Sequence, residues 1–113
     1  MTPAPGGRGE FLPGTLDMLI LHSLTLGSMH GYAIAQHIGR LSEDVLRVEQ
    51  GSLYPALDRL QRQGWVKSEW RESPTKRQAR YYTLTASGKK QLGEELSRYD
   101  RVSGAIARVL RRA

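Results

Sequence analysis

A mostly helical α+β fold, with three helices, a two-stranded hairpin and one long final helix, is what this 113-residue sequence predicts. Three observations lead there. Apolar residues recur at helical spacing between residues 15 and 64. Two short runs rich in aromatic and β-branched residues follow, and the last stretch carries apolar residues at alternating steps of four and three.

Residues 1–13 hold Pro3, Pro5 and Pro13 with Gly6, Gly7 and Gly9, a composition that buries little and is read as a flexible N-terminal arm. The first helix is expected from Thr15, read as its N-cap, with Asp17 at the positive end of the helix dipole and Gly27 as its stop. TLDMLILHSLTL is apolar on nearly every side, so it is expected to be buried on more than one face, the second against another subunit. A second helix spans Gly31 to Leu41, with Ile34, Ala35, Ile38 and Leu41 as its apolar stripe.

The third helix is expected to start at Gly51 or Ser52 and to end at Gly64. Leu53, Ala56, Leu57 and Leu60 make its core face. Pro55 has no amide proton to give, which places it within the first turn. Gln50, Ser52, Tyr54, Pro55, Asp58, Arg59 and Arg62 then point outward. WVKSEW (65–70) and ARYYTLT (79–85) form the hairpin, joined by RESPTKRQ with its Ser-Pro turn signal and basic end. One of Tyr81 and Tyr82 must face the core, and Trp65 and Trp70 are read as packing the hairpin onto the helices.

The last helix is expected from Ala86 to Leu110. Leu92, Leu96, Tyr99, Ser103, Ile106 and Leu110 form a seam of 3.5-residue period, widened by Val102 and Val109. A helix this long outreaches the small domain before it. It is therefore expected to make a homodimer, with Leu92, Leu96, Tyr99, Val102, Ile106 and Leu110 at the interface. The organisation that follows is an arm (1–13), a domain (14–85) and a dimerisation helix (86–113).

Three helices and then a hairpin are the order of a winged helix-turn-helix. Such a domain lays the third helix in the major groove of double-stranded DNA and sends basic hairpin side chains to flanking phosphates. Charge agrees with that reading. The chain is +6 overall, but residues 1–48 carry −1, residues 49–88 carry +3 and residues 89–113 carry +4. With no cysteine there is neither disulfide nor Cys-based zinc site, and no stretch has signal-peptide or membrane-span length, so a cytoplasmic location is expected. His22, His30 and His37 share no metal-ligand spacing, no cofactor motif occurs, and GxSxG, Walker and HExxH patterns are lacking, which argues against a metal site and an enzyme. The alternative, a winged helix used only for protein contacts, would call for an apolar third-helix face in place of Ser52, Tyr54 and Arg59.

The segments GTLDMLIL (14–21), HGYAIAQHI (30–38), QGSLYPALDRLQRQGWVKSEW (50–70) and RYYTLTASGKKQL (80–92) together resemble the PadR-type transcription regulators, over roughly residues 14 to 110. The single helix after the hairpin makes the chain similar to the short-tailed branch of that family. The resemblance implies operator binding as a homodimer, usually as a repressor, with many members answering to small phenolic or aromatic effectors. It implies that Ser52, Tyr54 and Pro55 open the recognition helix; Gln50 and Arg59, on the same outward side by spacing, are also read as DNA contacts. It further implies that Tyr32 reaches a phosphate and that Lys76, Arg77 and Arg80 belong to the wing. Gln78 departs from the small or basic residue usual there. Tyr99 stands where some short members place an aromatic residue facing its symmetry mate. With Ser103 small beside it and Met18 and Leu19 from the first helix, it would frame an apolar slot for a flat aromatic effector.

Overall fold

The computed structural model describes residues 14–112, so the expected arm at 1–13 lies outside the described residues. The order is α1 (Thr15–Ser23), a 3-10 turn (Leu24–Leu26), β1 (Met29–His30), α2 (Gly31–Leu41), α3 (Gln50–Arg62), β2 (Val66–Glu72), β3 (Gln78–Leu84) and α4 (Ala86–Arg111). This is the expected mostly helical winged-helix arrangement, with one strand more than the sequence suggested. β1 is only two residues long and pairs antiparallel with β3, Met29 opposite Tyr82 and His30 opposite Tyr81, giving a sheet of order β1-β3-β2.

The core is built from one face of each element. Met18, Ile20, Leu21 and Leu24 meet Ile34 and Ile38, the α3 face Leu53, Ala56, Leu57 and Leu60, then Val66, Tyr82 and Leu92. α1 packs against α2, α3 and α4 of the same chain, so much of its apolar surface is covered without a second subunit. Of the tyrosine pair, Tyr82 takes the core position and is 5% exposed.

Several boundaries differ from expectation for identifiable reasons. Thr15 is the first residue of α1 and not its cap; Gly14, at φ 82°, occupies the cap position with no side-chain hydrogen bond. α3 begins at Gln50, with the carbonyl of Glu49 accepting from the amides of both Ser52 and Leu53. Pro55 therefore lies in the second turn, where the missing amide proton leaves only the Gly51 carbonyl without its helical partner. Gly64, at φ 81°, follows Gln63. Its amide donates to the Gln61 carbonyl at 2.9 Å and that of Trp65 to the Leu60 carbonyl at 3.0 Å. That pair of bonds closes α3 in a Schellman turn, which requires a left-handed residue at Gly64.

One joint holds α3, the sheet and α4 in register. Thr85 caps α4 by accepting from the Gly88 amide at 3.0 Å, and its hydroxyl donates to the Gly64 carbonyl at 2.7 Å. Its amide donates to the Trp65 carbonyl at 3.1 Å. A methyl group on Gly88 would collide with that same Trp65 carbonyl, so the close approach depends on glycine. Beyond Leu92 the helix runs past the domain, and among the described residues no helix is long and apolar enough to cross a membrane.

Candidate nucleic-acid interface

The amphipathic division of α3 follows its sequence. With Leu53, Ala56, Leu57 and Leu60 buried, Gln50, Tyr54, Pro55, Asp58, Arg59 and Arg62 are exposed and Ser52 is half-buried. A 13-residue helix held by four buried side chains is a firm platform for the polar face opposite.

α2 delivers its first turn beside that face. His30, in extended conformation, caps α2 by accepting from the Ala33 amide through Nδ1 at 3.2 Å, and its ring stands edge-on to Tyr81 at 5.2 Å. This fixes Gly31 and Tyr32. Gly31 is buried because the Tyr54 ring lies over it; an added Cβ would stand 2.5 Å from the Tyr54 hydroxyl. Tyr32 is 64% exposed, its hydroxyl accepting from the side-chain amide of Gln36 at 3.2 Å.

The wing supplies the facing wall. β2 and β3 pair from Val66 opposite Leu84 to Glu72 opposite Gln78. Their turn is closed by the Ser73 amide donating to the Arg77 carbonyl at 2.7 Å and the Lys76 amide donating to the Ser73 carbonyl at 2.9 Å. Lys76 adopts φ 67°, and both it and Arg77 are exposed. Arg80 is held more tightly. Its Nε donates to Ser68 Oγ at 3.0 Å, which donates to Gln61 Oε1 at 2.8 Å, a chain linking β3, β2 and α3. The guanidinium lies 6.0 Å above the Tyr82 ring. Burial pushes the Tyr82 phenol above its usual range, against the opposing influence of the Arg80 charge.

These parts enclose an open cleft of about 670 Å³, lined by Tyr32 and Tyr54 on the helical side and by Trp70, Arg77 and Arg80 on the wing. Four of the nine residues expected to touch DNA thus share one concavity. Gln50, Ser52 and Pro55 share the start of α3 with Tyr54, and Lys76 stands at the wing tip. Arg59 is directed elsewhere: its guanidinium pairs with Asp17 of α1 at 2.6 Å.

Trp70 was expected to pack and does not. It is 66% exposed, whereas Trp65 is half-buried against the core. The period-two alternation of β2 places Trp70 on the same face as buried Val66. The strand has by then run past the edge of the core, so that face looks into the cleft instead. Alternation gave the face, but nothing local showed where the core ends.

A family profile described as transcriptional regulator PadR-like matches residues 20–94, most of the domain and the joint to α4. The chain belongs to the PadR-like family of transcriptional regulators. Solved structures of similar proteins agree with this PadR-like assignment. A transcriptional regulator from Clostridium thermocellum is 27% identical, with a TM-score of 0.76 over 82% of this chain and 90% of that one. A PadR family transcriptional regulator from Eggerthella lenta is 30% identical, with a TM-score of 0.74 over 88% of this chain and 85% of that one. An uncharacterised 37.1 kDa transposon protein of Streptomyces fradiae is 37% identical over 80% of this chain, which spans only 24% of that relative's length.

In this PadR-like chain three of the four residues expected to frame an effector slot lie together. Met18, Tyr99 and Ser103 line one groove of about 310 Å³ between α1 and α4, with Val102 and Ile106. Leu19 is not among them; it faces a separate hollow between α1 and α2, with His22, His37, Leu41 and Leu46. The i to i+1 step from Met18 rotates the side chain by about 100°, too far for both to face α4. Along the expected dimer seam, Leu92 is buried in the chain's own core at 6% exposure. Exposure begins at Leu96 and continues through Tyr99, Val102, Ile106 and Leu110, which the described residues leave largely open.

Proposed function

We propose that this PadR-like regulator acts in the cytoplasm as a homodimeric repressor that binds double-stranded operator DNA. The start of α3 (Gln50, Ser52, Tyr54 and Pro55) enters the major groove, and Tyr32 with the wing residues Lys76, Arg77 and Arg80 grips the flanking phosphates. The observation that carries this reading is the cleft in which Tyr32, Tyr54, Arg77 and Arg80 meet beside the polar face of α3. Phosphate contacts fix register, base-edge contacts carry sequence, and a helix flanked by a basic hairpin presents both at once. The net +3 of residues 49–88 supports the same face.

The exposed seam of α4 supplies the dimer, by packing on its own copy or on α1 of the second subunit. A small aromatic effector fits the α1–α4 groove, where Met18 and Val102 give apolar surface and Tyr99 a phenol. It regulates by favouring one separation of the two α3 helices over another.

Fluorescence anisotropy with a duplex from the chain's own promoter and a shuffled duplex, across a salt series, tests this. The expected result is preference for the promoter duplex, with log K falling against log salt at a slope of about −0.9 per neutralised phosphate. Equal binding of the two duplexes, or binding to neither, would overturn the reading.

A further inference from the structure

The DNA reading leaves Trp70 without a role. An indole left 66% in solvent on a structured strand is unusual apolar surface, and it does not stand alone. Tyr32 and Tyr54 line the same cleft and are 64% and 43% exposed. Arg77 and Arg80 flank the three rings, Arg80 fixed by its hydrogen bond to Ser68. Three rings between two guanidinium groups make a surface with an apolar floor and a cationic rim.

The position of the cleft selects what fits that chemistry. It separates the first turns of α2 and α3 from the wing. On the DNA reading, α3 occupies the major groove and the wing reaches flanking phosphates, so the strand bordering that groove must cross between them. A sugar–phosphate strand has matching chemistry: its phosphates are anionic, and the carbon-bound hydrogens of each deoxyribose offer an apolar face between them. Bases in an intact duplex remain stacked and turned inward, which leaves the sugar as the partner for an indole in this place.

We propose that the cleft seats one sugar–phosphate strand of the duplex, with Trp70 packed against deoxyribose and Arg77 and Arg80 on the adjoining phosphates. This inference rests on the DNA reading and adds to it a binding residue and a kind of contact. Packing of Trp70 on sugar releases no counterion, so it strengthens binding without contributing to the salt slope. It reads no base edge, so it serves promoter and shuffled duplexes alike.

The test compares Trp70→Ala, Trp70→Phe and Arg77→Ala with the wild type, on promoter and shuffled duplexes across a salt series. Trp70→Ala is expected to weaken both duplexes by about tenfold, equal to about 1.4 kcal/mol, with an unchanged slope. Trp70→Phe should restore most of the loss, and Arg77→Ala should reduce the slope by about 1. Duplex addition should shift tryptophan emission in the wild type and not in Trp70→Ala, where only half-buried Trp65 remains. Unchanged affinity of Trp70→Ala would overturn the inference while leaving the DNA reading intact. So would a loss confined to the promoter duplex, or a loss accompanied by a smaller slope. Tighter wild-type binding to single strands than to duplex would also overturn it, since the rings would then be stacking on bases. Failure of the wild type to bind any duplex would remove the DNA reading itself, and this inference with it.

Discussion

Tyr54 owes its position to a glycine on a different helix. Its ring covers Gly31, and a Cβ there would meet the Tyr54 hydroxyl, the free end of a side chain able to swing away. Gly31→Ala is therefore expected to displace Tyr54 and leave the fold standing. Promoter affinity should fall about tenfold, close to the loss from Tyr54→Ala, with less effect on shuffled DNA. Anisotropy on both duplexes, with thermal unfolding as control, checks this. Tyr82 offers a second test at the same scale. Burial raises its folded pKa above 10, so folding holds its proton more tightly than the unfolded chain does. Its contribution is fully present below pH 10 and is lost as pH rises beyond it. Urea unfolding between pH 9 and 11 should show that decline, and Tyr82→Phe should flatten it. Individual positions were legible where helical spacing sufficed, as for the exposed Tyr54. They were illegible where a distant partner decided them. Arg59 reads as outward-facing on helical spacing alone, which does not show that Asp17, 42 positions away, pairs with it. His30 shows the same limit: its cap on α2 depends on a strand too short to predict.

At the scale of elements, the helices and the wing were readable because each carries a long periodic signal. β1 was not, because two residues cannot display a period and its pairing with β3 is set by chain return. The start of α3 shifted by one or two residues because Pro55 tolerates the second turn at the loss of one bond, an outcome propensity alone ranks below the first turn. The two glycines near the joint separate two physical causes. At Gly64 the constraint is conformational, φ 81° with open space around it, so Gly64→Ala should lower stability by about 1 kcal/mol. At Gly88 the constraint is steric and the obstacle is the Trp65 backbone, which cannot step aside. Gly88→Ala should therefore cost more than Gly64→Ala and should also loosen α4 from the sheet. Urea unfolding of both variants measures the order, and equal losses would show that the Thr85 joint tolerates separation.

For the molecule as a whole, the decisive feature is the long stretch of α4 beyond Leu92. Leu96, Tyr99, Val102, Ile106 and Leu110 form an apolar row that is exposed among the described residues. The 3.5-residue period revealed the row but not which end of it belongs to the chain's own core; Leu92 carries the same spacing and is buried at home. A charge in the middle of the row should prevent pairing. Light scattering at micromolar concentration is expected to give twice the 12.7 kDa chain mass for the wild type and the chain mass for Ile106→Glu. A wild type at 12.7 kDa would remove the dimer. A two-fold dimer sets two α3 helices against DNA, and that geometry can be read directly from the nucleic acid. Hydroxyl-radical footprinting on the chain's own promoter is the measurement closest to the central claim. The prediction is a dyad-related pair of protected patches, their centres about 10 base pairs or a multiple apart, each including the strand that crosses the wing cleft. A single patch without a symmetry mate, or uniform cleavage at saturating protein, would contradict it.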